Sequence, residues 1–198
     1  MNVTFKAAVA AVILAVGFAR SVAAGPLEDA LAAAERRDYA TAIRLWRLLA
    51  DKGEVDAQYN LGVMYDKGQG VTRDYAVAVS WFRKAADQGF AAAQLSLGVL
   101  YENGLGVPQD FTTAVSWYRR AADQGNTAAQ FNLGVMYDNG WGVTQNTVIA
   151  HMWFSLAAAM GDRDAARNRD IAAAKLTPAQ IAETQRLIRE REPNSAPS

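Results

Sequence analysis

Displaced by 36 residues, the sequence lands on itself. Asp38-Tyr39, Asp74-Tyr75 and Asp110-Phe111 superpose, with Asn146 in the fourth place. Ala42, Ala78, Ala114 and Ala150 superpose, as do Trp81, Trp117 and Trp153, and Gly53, Gly89, Gly125 and Gly161. So do Ala57-Gln58, Ala93-Gln94 and Ala129-Gln130, each followed by Leu-Gly, a tyrosine (65, 101 or 137) and a Gly-x-Gly-Val loop. No insertion breaks the register. A fixed period of this length restricts the chain to a row of small supersecondary bricks, each too small to bury a core alone and stable only when stacked on its neighbours.

Each brick reads as two helices. From Glu54 to Lys67 the apolar residues Ala57, Leu61, Met64 and Tyr65 fall on one helical face, and from Asp74 to Gln88 the residues Ala78, Trp81, Phe82 and Ala85 repeat the spacing. Asp74, Asp110 and Asn146 stand where a side-chain oxygen caps the first turn. Gly53, Gly89, Gly125 and Gly161 stand where the chain must turn left-handed after a helix. Small residues on the facing stripes, Gly62 among them, predict close approach of backbones. The rings of Trp81, Trp117 and Trp153 then fill the space between neighbouring pairs.

The stretch from Ala93-Gln94 through Gly104-Leu105-Gly106-Val107-Pro108-Gln109-Asp110, then Ala114, Trp117-Tyr118-Arg119-Arg120-Ala121-Ala122 and Gly125, closely resembles the Sel-1-like repeat, a relative of the tetratricopeptide repeats. The match holds from residue 38 to 161. His151-Met152-Trp153-Phe154 and Lys175-Leu176-Thr177-Pro178-Ala179-Gln180-Ile181 resemble the ends of exported bacterial members. The resemblance implies an all-α fold, a right-handed α-α superhelix (solenoid) of helical hairpins, with the first helix of each pair lining a concave face. It also implies an adaptor or scaffold role in assembling protein complexes. Some exported relatives are cysteine-rich and linked to penicillin binding. This chain has no cysteine, so that activity is not carried over.

The N-terminus has the features of an export signal: Lys6, an apolar run from Ala7 to Ala19, and the small-residue pattern Val22-Ala23-Ala24. Cleavage is expected after Ala24, with Ala23 as the alternative, giving a periplasmic or secreted protein; the rival reading is an uncleaved membrane anchor. The apolar run is shorter than the roughly 20 residues a bilayer needs. Removing it takes Lys6 and Arg20, leaving 18 basic and 20 acidic residues from the 20 of each in the full chain, a net charge of about −2. That balance argues against nucleic acid as a partner. The expected layout is a signal peptide over 1–24, a capping hairpin over 25–53, three repeats over 54–161, a degenerate repeat with a capping helix over 162–191, and a flexible tail over 192–198. The capping helix starts at Thr177, with Pro178 first inside it and Gln180 closing a capping box.

The repeat carries its own control: a position kept in every copy serves the stack, and one that varies is free to serve a ligand. Lone His151, in the place of Val79 and Val115, is expected to be a partly exposed packing residue. It has no companion for metal binding or catalysis. The Gly-x-Gly loops lack the Lys and Ser/Thr of a phosphate loop and read as turns. Gln58, Gln94 and Gln130 read as hydrogen-bond staples between helices. No catalytic residue, cofactor or metal site is predicted.

The partner-binding candidates are Tyr59, Leu95 and Phe131 with Asp66, Glu102 and Asp138 seven residues on, and Trp141. Seven steps of about 100° return to within roughly 20° of one face, so each first helix offers a large apolar group above an acid. An acid near a helix C-terminus opposes the macrodipole at roughly 0.3–1 kcal/mol, so something must offset it. A hydrogen bond to the loop amides or an arginine would do so, as would a basic partner. Trp141 replaces Gln69 and Leu105 in the loops, so the fold does not require an indole there. It is either a binding anchor or packing against the next helical pair. The functional expectation is a non-enzymatic scaffold of the bacterial envelope that binds a protein or peptide segment. The alternatives are a cell-wall enzyme, a glycan- or peptidoglycan-binding envelope protein, or a cytoplasmic scaffold.

Overall fold

The computed structural model describes residues 25–191. The cleavage point at Ala24 and the tail over 192–198 lie outside the described residues. Within them the chain is helical throughout, with no strand. The helices are α1 (Pro26–Glu35), α2 (Tyr39–Ala50), α3 (Val55–Lys67), α4 (Tyr75–Asp87), α5 (Ala91–Asn103), α6 (Phe111–Asp123), α7 (Thr127–Asn139), α8 (Thr147–Ala159), α9 (Arg163–Ala173) and α10 (Pro178–Arg191). From α1 to α9 each packs on the next in order, and α10 packs back on α8. The result is an α-α superhelical solenoid of stacked hairpins.

The second helix of each pair begins where an Asp or Asn oxygen meets a backbone N–H. Asp38 accepts from Thr41 at 3.2 Å, Asp74 from Val77 at 3.0 Å, Asp110 from Thr113 at 3.1 Å and Asn146 from Ile149 at 3.1 Å. Such caps contribute about 1 kcal/mol each. The Thr177 amide donates to Gln180 Oε1 at 2.9 Å and the Gln180 amide to Thr177 Oγ1 at 3.3 Å, the capping box expected for α10.

The Gly-x-Gly loops are turns with a packing duty. A Cβ on Gly106 would lie 2.4 Å from the Tyr75 carbonyl carbon, and one on Gly142 the same distance from that of Phe111. Each loop therefore seats its second glycine on the first turn of the preceding pair's second helix, a contact no side chain permits.

The tryptophans face inward as expected. Trp117 packs in one cluster with Ala78 and Phe82 of the preceding pair and Leu97 of its own, and Trp153 in one with Val115 and Leu133. Trp81, half-buried, joins Trp46, Ala57 and Leu61. The glycines inside the first helices play a different part from the one expected. A Cβ on Gly62, Gly98 or Gly134 would lie within 2.5 Å of the ring of Phe82, Tyr118 or Phe154. These glycines make room for an aromatic ring rather than for a neighbouring backbone.

Candidate functional site

Much of the repeated polar chemistry serves the stack. Gln58, Gln94 and Gln130 donate to the carbonyls of Ala50, Ala86 and Ala122 at 3.3, 3.1 and 3.4 Å, closing the step from one pair to the next. Their oxygens accept from Gln88 and Gln124 in the first two copies, at 2.8 Å each. The staple reading holds for these glutamines. Tyr65, Tyr101 and Tyr137 each accept a hydrogen bond from an arginine of the preceding second helix: Arg47, Arg83 and Arg119.

The stripe on the first helices is half-buried rather than freely exposed. Tyr59 packs against Phe82 and Phe90, with ring centroids 5.6 and 5.1 Å away, and Phe131 against Phe154 at 5.9 Å. Leu95 packs on the core that holds Leu133 and Tyr118. Part of each side chain remains accessible, beside the acids of the same face.

Those three acids have different surroundings. Glu102 accepts a hydrogen bond from the Tyr118 hydroxyl. Burial, together with this bond and the carboxylate's charge, pushes the Tyr118 phenol well above the usual tyrosine range, so it stays a donor. Asp138 meets the Lys175 ammonium at 3.5 Å, a cation supplied from beyond α9. The offsets expected from loop amides or an arginine are thus supplied by a phenol and a lysine. Asp66 has no ion pair or side-chain hydrogen bond with any described residue. It borders a shallow cavity of about 170 Å³ lined by Phe82, Leu95, Ser96, Val99 and Leu100.

Trp141 is 43% exposed and stacks on Phe111, with centroids 5.8 Å apart and planes 24° apart. It packs on the preceding pair and not on the next one as expected, because the loop seats on the first turn of the preceding second helix, and it stays partly exposed. His151 is 8% exposed, so it is buried and not the partly exposed residue its position suggested. Its Nδ1 has no partner among the described residues. Burial, with Arg169 nearby, holds it below the usual imidazole range, and Asp170 opposes this weakly. Among the described residues no group of three or more His, Cys, Asp and Glu is placed to hold a metal ion, and no helix is long and apolar enough to cross a membrane.

One set of side-chain contacts escaped the sequence reading. Lys84 lies over Trp81 with its ammonium 3.9 Å from the ring centroid, and Arg120 lies over Trp117 at 4.6 Å. In the third copy Leu156 occupies that position, and Arg191 from α10 lies over Trp153 instead, at 4.5 Å. Arg191 also pairs with Asp123 at 2.7 Å. The loss of a cation at Leu156 was a visible signal, but the compensating arginine comes from a separate element.

The Sel1 repeat profile matches residues 33–54, 55–90, 91–126 and 127–162. The fold is similar to the crystal structure of a Sel1 repeat protein from Oxalobacter formigenes, with a TM-score of 0.72 and 29% identity over 83% of this chain and 70% of that one. It is also similar to a protective antigen of uropathogenic Escherichia coli displaying an SLR fold, with a TM-score of 0.58 and 32% identity over 77% of this chain and 40% of that one. The cysteine-rich protein B of Helicobacter pylori shares the fold, with a TM-score of 0.50 and 21% identity over 71% of this chain and 94% of that one. No curated protein matches the chain significantly.

Proposed function

The chain belongs to the Sel1 repeat family, and on that premise we propose that it is a non-enzymatic docking module of the bacterial envelope. Sel1 repeats are in general protein–protein interaction modules. The face formed by the first helices α3, α5 and α7 grips an extended partner segment. Tyr59, Leu95 and Phe131 supply apolar contact, Trp141 a ring at the loop edge, and the acids the charge. The observation that carries this reading is Asp66. Its counterparts Glu102 and Asp138 are engaged by Tyr118 and Lys175, whereas Asp66 has no such partner and borders an apolar cavity. A carboxylate so placed suits a Lys or Arg flanked by an apolar residue.

The test is peptide selection from a random library on the chain lacking residues 1–24. Selected peptides should carry a basic residue beside an apolar one. Asp66→Asn should weaken them roughly 3–10-fold, the weight of one charge-assisted hydrogen bond at a partly open site. Glu102→Gln and Asp138→Asn should do less, because their charges are already answered within the chain. If Asp66, Glu102 and Asp138 are replaced together and the peptides bind unchanged, the face is not the docking surface. The export reading rests on Lys6, the apolar run and the small residues before Gly25. The mass of the protein recovered from a producing cell's periplasm or medium should correspond to a chain starting near Gly25, and a mass retaining Lys6 would contradict it.

A further inference from the structure

The glutamine ladder is interrupted at its third rung. In the first rung Gln88 Nε2 donates to Gln58 Oε1 at 2.8 Å and to the Gly53 carbonyl at 3.1 Å. In the second, Gln124 Nε2 donates to Gln94 Oε1 at 2.8 Å. In the third, Met160 stands where those glutamines stand. The backbone is the same at all three: Gln88, Gln124 and Met160 follow their helices with φ of −84°, −90° and −86° and ψ of 5°, 7° and 8°. Only the side chain differs, and Met160 projects into solvent, 68% exposed. The acceptor has not been lost along with its donor. Gln130 keeps its bond to the Ala122 carbonyl and is 6% exposed, yet its Oε1 has no partner among the described residues. A buried acceptor left without a donor is costly, so it favours any group that supplies one.

The same glutamine lines a cavity of about 490 Å³ with Gly125, Trp153, Leu156 and Arg191. Its lining combines the apolar surfaces of Trp153 and Leu156, the Asp123–Arg191 ion pair, the unanswered acceptor and, by its place in the repeat, the glycine equivalent to the one that Gln88 also contacts. We propose that this cavity is a binding subsite for a primary carboxamide on a short apolar stem, the side chain of a glutamine in a partner peptide. The two upstream rungs show what the position accepts: an amide N–H₂ arriving from a two-methylene stem. The ligand's amide donates to Gln130 Oε1, and its stem lies along Leu156 and Trp153. The subsite shares no residue with the first-helix face proposed above, so either can fail without the other.

The experiment is a titration of the chain lacking residues 1–24 with N-acetylglutamine N-methylamide, whose side chain is its one primary carboxamide, followed by amide and side-chain NMR. The methionine counterpart, N-acetylmethionine N-methylamide, has no primary carboxamide and is the control. The glutamine probe should shift the Gln130 side-chain and Trp153 indole resonances saturably and bind roughly 3–10-fold tighter than the control, the weight of one hydrogen bond. Met160→Gln, at an exposed position that carries no fold risk, should supply the amide from within. It should raise Tm and remove the probe's effect at Gln130. Equal binding of both probes would mean an apolar slot without amide recognition and would overturn the proposal. So would the absence of any shift, meaning that no donor from solution reaches Gln130, or undiminished binding to Met160→Gln.

Discussion

At the scale of single residues, two positions show how neighbours override intrinsic preference. Gly98 lies within α5, where alanine would be favoured by about 1 kcal/mol. A Cβ there would meet the Tyr118 ring at 2.4 Å, and Tyr118 is fully buried and cannot retreat. Overpacking costs roughly 1–3 kcal/mol. Gly98→Ala should therefore destabilise, lowering Tm by a few degrees in thermal unfolding, whereas a propensity scale gives the opposite sign. His151 makes the second case. Its imidazole is held below the ordinary value of 6.5, first by burial and then by Arg169. The unfolded chain takes up a proton near 6.5 while the folded chain resists, so stability falls with pH from about 6.5 down to the folded-state value. Asp38 and Asp110, held low by Thr41 and Thr113, act only near and below their ordinary 3.8 and leave this window clear. His151→Val, the residue type of the sister copies, should flatten the loss between pH 7 and pH 5 in denaturant titrations. An equal slope in both proteins would contradict this reading.

At the scale of elements, the last helix completes what the last repeat lacks. Arg191 of α10 stands in for the cation that Lys84 and Arg120 supply within their own repeats, and it ties α10 to Asp123 of α6. Thr184 anchors the same helix through the Val148 carbonyl at 3.4 Å. Arg191→Ala should cost about 1 kcal/mol, since the pair is partly exposed and the ring contact partly desolvated. The loss of amide protection should be confined to α10. Adding Leu156→Arg should recover part of it by restoring the in-repeat cation. The sequence alone disclosed the hairpins, their caps and the capping box, because each depends on residues within a few positions. It also disclosed the glutamine staples, because the period repeats them. It did not disclose which acid would be answered by Tyr118 or Lys175, nor that Arg191 reaches Trp153. Tyr118 stands where the other copies have Phe82 and Phe154, and Lys175 and Arg191 come from beyond the repeats, so each contact occurs once and periodicity carries no trace of it.

At the scale of the whole molecule, stability is a sum over neighbouring pairs, because each hydrophobic cluster is built mainly from adjacent hairpins. Leu97 is fully buried at the middle of the stack. Leu97→Ala should cost roughly 2–5 kcal/mol and uncouple the two ends, turning one unfolding transition into two by calorimetry. In the function proposed above, a rigid spine of this kind leaves the first-helix face to meet a partner, and that division of labour is the centre of the account. Hydrogen exchange with and without a selected peptide tests it most directly. Slowed exchange concentrated in α3, α5 and the loops that follow them is the predicted footprint. Slowing confined to α4, α6 and α8, with the first helices unchanged, would contradict it.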